Sequence, residues 1–400
     1  MANGNILVLT YWPYNDALIQ TYTLPYLRII RSIVPADRKL WLVTQEKKNI
    51  RIDHQGLAAE GIELKPLTYT PFGLKAIWSW LVNVFSLCYF IRSNKVEYIH
   101  CWCTPAGAIG YVLSVLTGKR LVIDSYEPHA ESMVENGTWK KNSFAFKLLL
   151  LFEKLQSKRA WRIVATTAGM NGYAQRTYGL TLPNLFVKPA CVNLDVFSLQ
   201  VIKNQELLQQ LGLKDKIVCV YAGKFGGIYL KKEVFDFFKV AQERWRNRFR
   251  VLLLTSHSRE EVRGLCGESG VDFSIISMKF VKHEEVPKYM GLADFAITPV
   301  KPVPSKRYCT PIKNGEYWAL GLPIVISSGI SDDSAIIEDL QVGAVVKGFS
   351  KDDFQSAIDK LEILLQQPND KVRLKIRSVA EKYRNFEIAR KVYQSIYGNT

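Results

Sequence analysis

The stretch TPIKNGEYWALGLPIV, residues 310–325, sets a short helical pattern directly before an apolar strand. Thr310 suits the N-cap, and Pro311 suits the first helical position, where a missing N–H costs nothing. Gly321 and Pro323 end the helix and release a strand over 323–327. The first turn carries exposed amides at the positive end of the helix dipole, a place for an anion. Lys313 extends from that turn, and Glu316, three residues on, shares its face. Two readings stay open here. One is a capped helix with a surface Lys–Glu pair. The other is an anion at the helix start, beside a carboxylate that takes the hydroxyls of a diol such as ribose.

Working outward, the same helix-to-strand unit recurs along the chain. Apolar strands are expected at 6–9, 40–44, 63–67, 98–101, 120–124, 162–166 and 185–188, with helices at 17–33, 72–92, 105–117, 144–159 and 168–177. A second series places strands at 218–222, 250–255, 273–277, 295–298, 323–327 and 343–346, with helices at 231–245, 259–266, 283–291, 311–320, 332–338 and 351–366. Such alternation predicts parallel sheets covered by helices on both faces. The expected fold class is α/β, with two doubly wound Rossmann-like domains facing across a cleft. Residues 1–188 form the first and 189–375 the second. A last helix over about 369–397 crosses back, returning residues from about 376 to 400 to the first domain.

Composition supports two folded domains. Of 400 residues, 48% are hydrophobic and 22% charged, which excludes a disordered chain. The net charge of +16 is spread over both halves and no recognition motif accompanies it, so nucleic acid is not an expected partner. The N-terminus enters a strand without the pattern of a secretory signal. Seven scattered cysteines, mostly within apolar runs, predict reduced, buried thiols and a cytoplasmic protein. No zinc spacing is present, and no metal site is expected. Residues 76–91, AIWSWLVNVFSLCYFI, flanked by Lys75, Arg92 and Lys95, are short for a membrane span. They fit either a buried core helix or a helix in a membrane interface, as does 140–162 with its lysines.

Three further turns follow strands and carry chemistry. YAGKFGGIYLKKE (221–233) has Gly223, Gly226 and Gly227 for close backbone approach, with Lys224, Lys231 and Lys232 for charge. It matches neither a Walker A loop nor GxGxxG. IDSYEPHAESM (123–133) gathers Asp124, Glu127, His129 and Glu131, suited to acid/base work or to binding sugar hydroxyls. In TYWPYNDALIQ (10–20), Asn15 and Asp16 fit a helix cap or a substrate contact. Solvated loops and caps are the plainer reading of all three.

Together these pieces resemble the retaining glycosyltransferase family 4, nucleotide-sugar enzymes of the two-Rossmann, GT-B type. The likeness is carried by KPACVNLDVF (188–197), YAGKF (221–225), VKHEEVPKYMGLADFAITPV (281–300) and SKRYCTPIKNGEYWALGLPIV (305–325), in that order, over about 180–345. The resemblance implies a nucleoside-diphosphate sugar as donor and a growing or lipid-linked glycan as acceptor. It implies that Glu316 holds the ribose, and that Lys313 with the backbone around Pro311 and Ile312 meets the diphosphate. Lys224 and Lys231 would stabilise the leaving group, making a metal or other cofactor dispensable. Gly223, Tyr308 and Thr310 complete the donor set, with Tyr308 standing where many relatives carry a glutamate. Glu127 and His129 join the catalytic set, and Asn15, Asp16 and Asp124 the acceptor set. Epimerases or hydrolases of sugar nucleotides share this architecture, and an inactive binding protein is a further alternative. Contact with an anionic membrane is expected of the basic, aromatic stretches 72–95 and 140–162.

Overall fold

A computed structural model describes residues 4–47, 55–70 and 74–398. The chain divides into two compact units, Met1–Lys188 with Glu387–Thr400, and Pro189–Phe386. The first holds β1 (Asn5–Leu9), β2 (Leu40–Glu46), β3 (Ile62–Thr68), β4 (Val96–Trp102), β5 (Arg120–Tyr126), β6 (Arg162–Ala165) and β7 (Leu185–Val187). They form one sheet in the order β3-β2-β1-β4-β5-β6-β7. The second holds β8 (Ile217–Ala222), β9 (Phe249–Leu254), β10 (Ile276–Lys279), β11 (Phe295–Thr298), β12 (Ile324–Ser327) and β13 (Gly343–Val346), in the order β10-β9-β8-β11-β12-β13. Every strand pair in both sheets is parallel.

Both sheets are doubly wound, and the sequence shows why. Ile6–Leu9 and Val218–Ala222 are buried at every position, the unbroken apolar run of a strand covered on both faces. The winding reverses between β1 and β4 and between β8 and β11, which makes the carboxyl edge at each reversal a natural ligand position. One strand differs from expectation. β10 begins at Ile276, not 273, because the Asp272 carboxylate takes the Ser274 N–H (2.9 Å) and winds Phe273–Ile275 into a 3₁₀ turn.

The expected single C-terminal helix is two, Asn369–Tyr383 and Phe386–Tyr397. Between them Val192 donates to the Arg384 carbonyl (2.8 Å) and pairs with Asn385 as an isolated bridge. That strand-like pairing holds Arg384 at φ −135°, outside helical geometry. The return to the first unit therefore falls at Glu387 and not near residue 376. The helix 72–92 is observed as Leu74–Ser93; positions 71–73 and the side chain of Lys75 lie outside the described residues.

A buried polar cluster fastens the last helix to the first sheet. Asp124, fully buried on β5, lies 3.3 Å from the Lys188 ammonium and 3.4 Å from His100 Nε2, and accepts from the Tyr393 hydroxyl at 2.7 Å. Tyr397 meets His100 Nδ1 at 2.6 Å. Lys188 sits 3.7 Å over the Tyr26 ring. Burial alone would raise the Asp124 pKa, but Lys188, His100 and Tyr393 outweigh it and hold it at about 2. Asp124→Asn leaves Lys188 buried without its counter-charge and is expected to cost about 3–5 kcal/mol in urea titrations at pH 7. The carboxylate's contribution is complete above its unfolded pKa of ~3.9 and is lost as pH falls toward 2. The gap between variant and wild type should therefore shrink below pH 4, and a gap independent of pH would contradict this account.

Candidate functional site

In the second unit the donor-type helix runs Ile312–Ala319, and Pro311, not Thr310, occupies the N-cap. The Thr310 hydroxyl lies 3.4 Å from that of Ser331. The helix buries Asn314–Ala319. The hydroxyl of Tyr317 accepts from the Ala222 N–H at the end of β8 (3.2 Å). Asn314, fully buried, accepts from the Thr298 hydroxyl at the end of β11 (2.6 Å) and donates to Asp333 (2.6 Å). Asp333 is in turn paired with Arg384. These bonds fix the helix start at the carboxyl edge of the sheet.

Glu316 is only 7% exposed, yet its carboxylate makes no hydrogen bond or ion pair with any described residue. The Lys313 ammonium is likewise unpaired among them, so the surface Lys–Glu pair is not formed. A Cβ on Gly223 would lie 3.5 Å from Lys313 Cε and 2.8 Å from the Tyr221 hydroxyl, at φ +156°. The glycine turn after β8 and Lys313 are thus brought together, and any side chain at 223 would intrude. Lys224 is exposed, and its carbonyl accepts from the Tyr221 hydroxyl at 2.6 Å. Lys231 is exposed at the start of the helix Lys232–Trp245. Ile312 joins the helix start, and Tyr308, half-buried, ends the preceding 3₁₀ turn Pro304–Tyr308.

The first unit's candidates separate. Asn15 is exposed in the turn after β1, and Asp16 acts as a cap, its Oδ1 taking the Leu18 N–H at 2.8 Å. Glu127 and His129 are half-buried in the turn after β5, joined by a backbone bond of 2.9 Å from the His129 N–H to the Glu127 carbonyl. Asp124 does not belong with them. Its side chain is wholly enclosed by the Lys188–His100–Tyr393 cluster and cannot touch an acceptor. Cys103 and Ser125 hold left-handed φ values of 68° and 50°, marking the ends of β4 and β5 as strained edges. Among the described residues no three His, Cys, Asp or Glu gather as a metal site. None of the seven cysteines forms a disulfide, and six of them are buried.

A family model described as glycosyl transferases group 1 matches residues 216–363, within the second unit. Sucrose-phosphate synthase from Thermosynechococcus elongatus has a similar structure, with TM-score 0.74 and 15% identity, 98% of each chain being covered. This is the GT-B glycosyltransferase fold. HepE from Anabaena, solved with UDP-glucose, superposes with TM-score 0.71 at 13% identity, over 98% of this chain and 99% of its own. WaaG, a glycosyltransferase of lipopolysaccharide biosynthesis, gives 0.69 at 14% identity, over 98% and 100%. No curated protein matches in sequence. The resemblance carried by 188–197, 221–225, 281–300 and 305–325 is thereby borne out for this fold.

Two residues at these edges escaped the sequence reading. His257, after β9, accepts the Phe225 N–H at Nε2 (2.9 Å) and stacks on the Phe225 ring, while Nδ1 faces Glu261 at 3.2 Å. It braces the glycine turn, and its only trace in sequence is the capping box Ser258–Glu261 beside it. Glu153, wholly buried, accepts from Ala130 N–H (2.9 Å), the Tyr178 hydroxyl (2.9 Å) and the Thr104 hydroxyl (3.2 Å). It thereby holds the helix His129–Glu135 against its own helix, Phe144–Arg159. Burial raises its pKa to about 7 against those bonds. With the folded value above the unfolded one, its stabilisation is complete below about pH 4 and is lost as pH rises through 7. Glu153→Gln should therefore gain stability over wild type between pH 5 and 8, by up to about 3 kcal/mol. Melting curves across that range check it; a difference that does not grow with pH would contradict it.

Proposed function

We propose that the chain transfers a hexose from a nucleoside diphosphate to an acceptor hydroxyl, with retention at the anomeric carbon and without a metal ion. The observation that carries this is Glu316, a mostly buried residue whose carboxylate has no partner among the described residues and keeps an edge open to solvent, three residues from an equally unpaired Lys313 against the Gly223 turn. A ligand that reaches this edge can supply the donors that the protein does not. Two ribose hydroxyls would do so.

In this reading the Ile312 and Lys313 amides, the Lys313 ammonium, Lys224 and Lys231 receive the diphosphate. The bond from the anomeric carbon to the phosphate oxygen breaks, its electron pair passing to that oxygen. The acceptor oxygen bonds the same face of the carbon, and its proton passes to the departing diphosphate. Fixed positive charge around the leaving group lowers the barrier. Lysines and helix amides can serve where other enzymes use a divalent cation. Glu127, His129 and Asn15, at the carboxyl edge of the first sheet, orient the acceptor. The acceptor is read as a growing or lipid-linked glycan and the protein as cytoplasmic, which the free thiols support.

UDP and UDP-glucose are the first ligands to test, since the similar HepE was solved with UDP-glucose. Glu316→Ala is expected to weaken UDP binding by ~10- to 100-fold in calorimetry, the loss of a charged acceptor. A 2′,3′-dideoxy analogue should weaken wild type equally and leave the variant indifferent. If UDP, ADP and GDP all fail to bind, the donor site is misread. Full-rate release of nucleotide without acceptor would favour a hydrolase or epimerase, and binding without turnover an inactive binding protein.

A further inference from the structure

The first unit contains a cavity of about 780 Å³ that none of the candidate site residues lines. Its walls come from Tyr11 after β1, Tyr69 after β3, Ala108 near the start of the helix Cys103–Thr117, Trp80 on Leu74–Ser93, and Trp139 with Phe152 on or beside Phe144–Arg159. The lining is mostly apolar and aromatic, with Gln45, Thr68, Thr70, Ser79 and Asn83 as its polar members, and among the described residues no charged one contributes to it. Its size is that of a pocket that encloses a ligand, and its place is the carboxyl edge of the sheet, which also bears Asn15, Glu127 and His129.

The two helices that wall the cavity also present apolar faces outward. Leu74–Ser93 buries Val84, Leu87, Cys88 and Ile91 in the core, so one side is an ordinary core face. On the other side Trp78 is 71% exposed, Phe85 70% and Tyr89 77%, with Leu81 and Val82 beside them at helical spacing. Phe144–Arg159 exposes Phe144, Leu148 and Leu151 in one stripe, interleaved with exposed Lys147, Lys154 and Lys158; its only acid, Glu153, is buried. Lys140 and Lys141 precede it, both exposed. Exposed aromatic and aliphatic stripes, the second fringed by lysines, fit an anionic bilayer interface, into which the rings insert while the ammonium groups stay at headgroup level. No helix of the described residues is long and apolar enough to cross a membrane, so such a face would lie on the bilayer. Leu148 belongs both to the exposed stripe of Phe144–Arg159 and to the cavity wall, so the cavity opens beside that stripe.

We propose that this cavity takes the hydrocarbon chain of an anionic amphiphile, the lipid that carries the acceptor, drawn from a bilayer on which the two helices rest. The chain would leave water for an apolar enclosure, and its polar head would emerge at the sheet edge that holds Asn15, Glu127 and His129. Calling this amphiphile the acceptor rests on the glycosyltransferase reading; the chain site itself does not.

The test uses the full-length protein and bromine-bearing chains, which quench tryptophan on contact. Monomeric dibromostearate should quench saturably, and the quench should vanish in a Trp80→Phe/Trp139→Phe double variant. Ala108→Phe, which fills the cavity, should weaken binding by about tenfold or more. Leu148→Glu, at the half-exposed rim where folding tolerates a charge, should do the same by setting a carboxylate against the hydrocarbon. In a second arm, phosphatidylglycerol vesicles with brominated chains should quench Trp78, and phosphatidylcholine vesicles should bind far more weakly. The proposal is overturned if dibromostearate leaves Trp80 and Trp139 unquenched, if neither cavity variant weakens it, or if neutral and anionic vesicles bind alike. UDP binding, measured on the same samples, fails independently. Chain binding without UDP binding refutes the donor site alone, and UDP binding without chain binding refutes the cavity alone.

Discussion

Parallel pairing is the constraint from which the rest of this structure follows. A strand whose neighbours run in its own direction cannot be joined to them by a tight turn, so every connection must cross a face of the sheet. The crossing helices bury both faces, and the turns that lead into them collect at one edge. In the second unit that edge receives the turns after β8, β9, β11 and β12. Glycines at 223, 226 and 227, His257 and the start of Ile312–Ala319 therefore come together although they are distant in sequence. No residue needs to be recruited for function individually; the winding delivers them.

Two buried carboxylates show how this architecture separates structural from ligand-facing charge. Asp124 is met by an ammonium, an imidazole and a hydroxyl, and its environment holds it ionised. Its charge is consumed internally, and it fastens the returning helix to the sheet. Glu316 is nearly as deeply placed, but no described side chain answers it. The difference lies in what surrounds each strand end. β5 lies between β4 and β6; His100 on β4 and Lys188, the residue after β7, supply partners to its end. The helix bearing Glu316 is held by Asn314 and Tyr317 on its buried side, and these bonds are complete without Glu316. Its rigidity is thus independent of the carboxylate, which a binding group requires if ligand release is not to loosen the fold.

Much of this was legible in the sequence, for identifiable reasons. Strands buried on both faces read as unbroken apolar runs, so β1, β8 and β11 announce themselves. The helix at 312–319 is punctuated by Thr-Pro before it and Gly-Leu-Pro after it. What escaped notice depends on long-range contact. Asp124 looked like one of a group of exposed acids, because its partner Tyr393 lies 269 residues away. The break at Arg384–Asn385 has no breaker residue; Val192 imposes it by pairing from another segment. Thr310 has the chemistry of an N-cap, but Pro311 already occupies that position and brings no side-chain cap of its own.

The segment 76–91 shows a limit of a different kind. A core helix and an interfacial helix were opposed readings of one apolar stretch, as though a helix had a single apolar face. The helix Leu74–Ser93 has two, one packed on the sheet and one turned outward. Periodicity cannot separate them, because residues apolar all round give little contrast between faces. What distinguishes the outward face is its composition: tryptophan, phenylalanine and tyrosine, side chains that tolerate a boundary between oil and water. The helix Phe144–Arg159 repeats the device with lysines in place of tyrosine. A fold that wraps its sheet in helices leaves each of them a second surface, and on these two helices that surface carries stripes of apolar side chains at helical spacing.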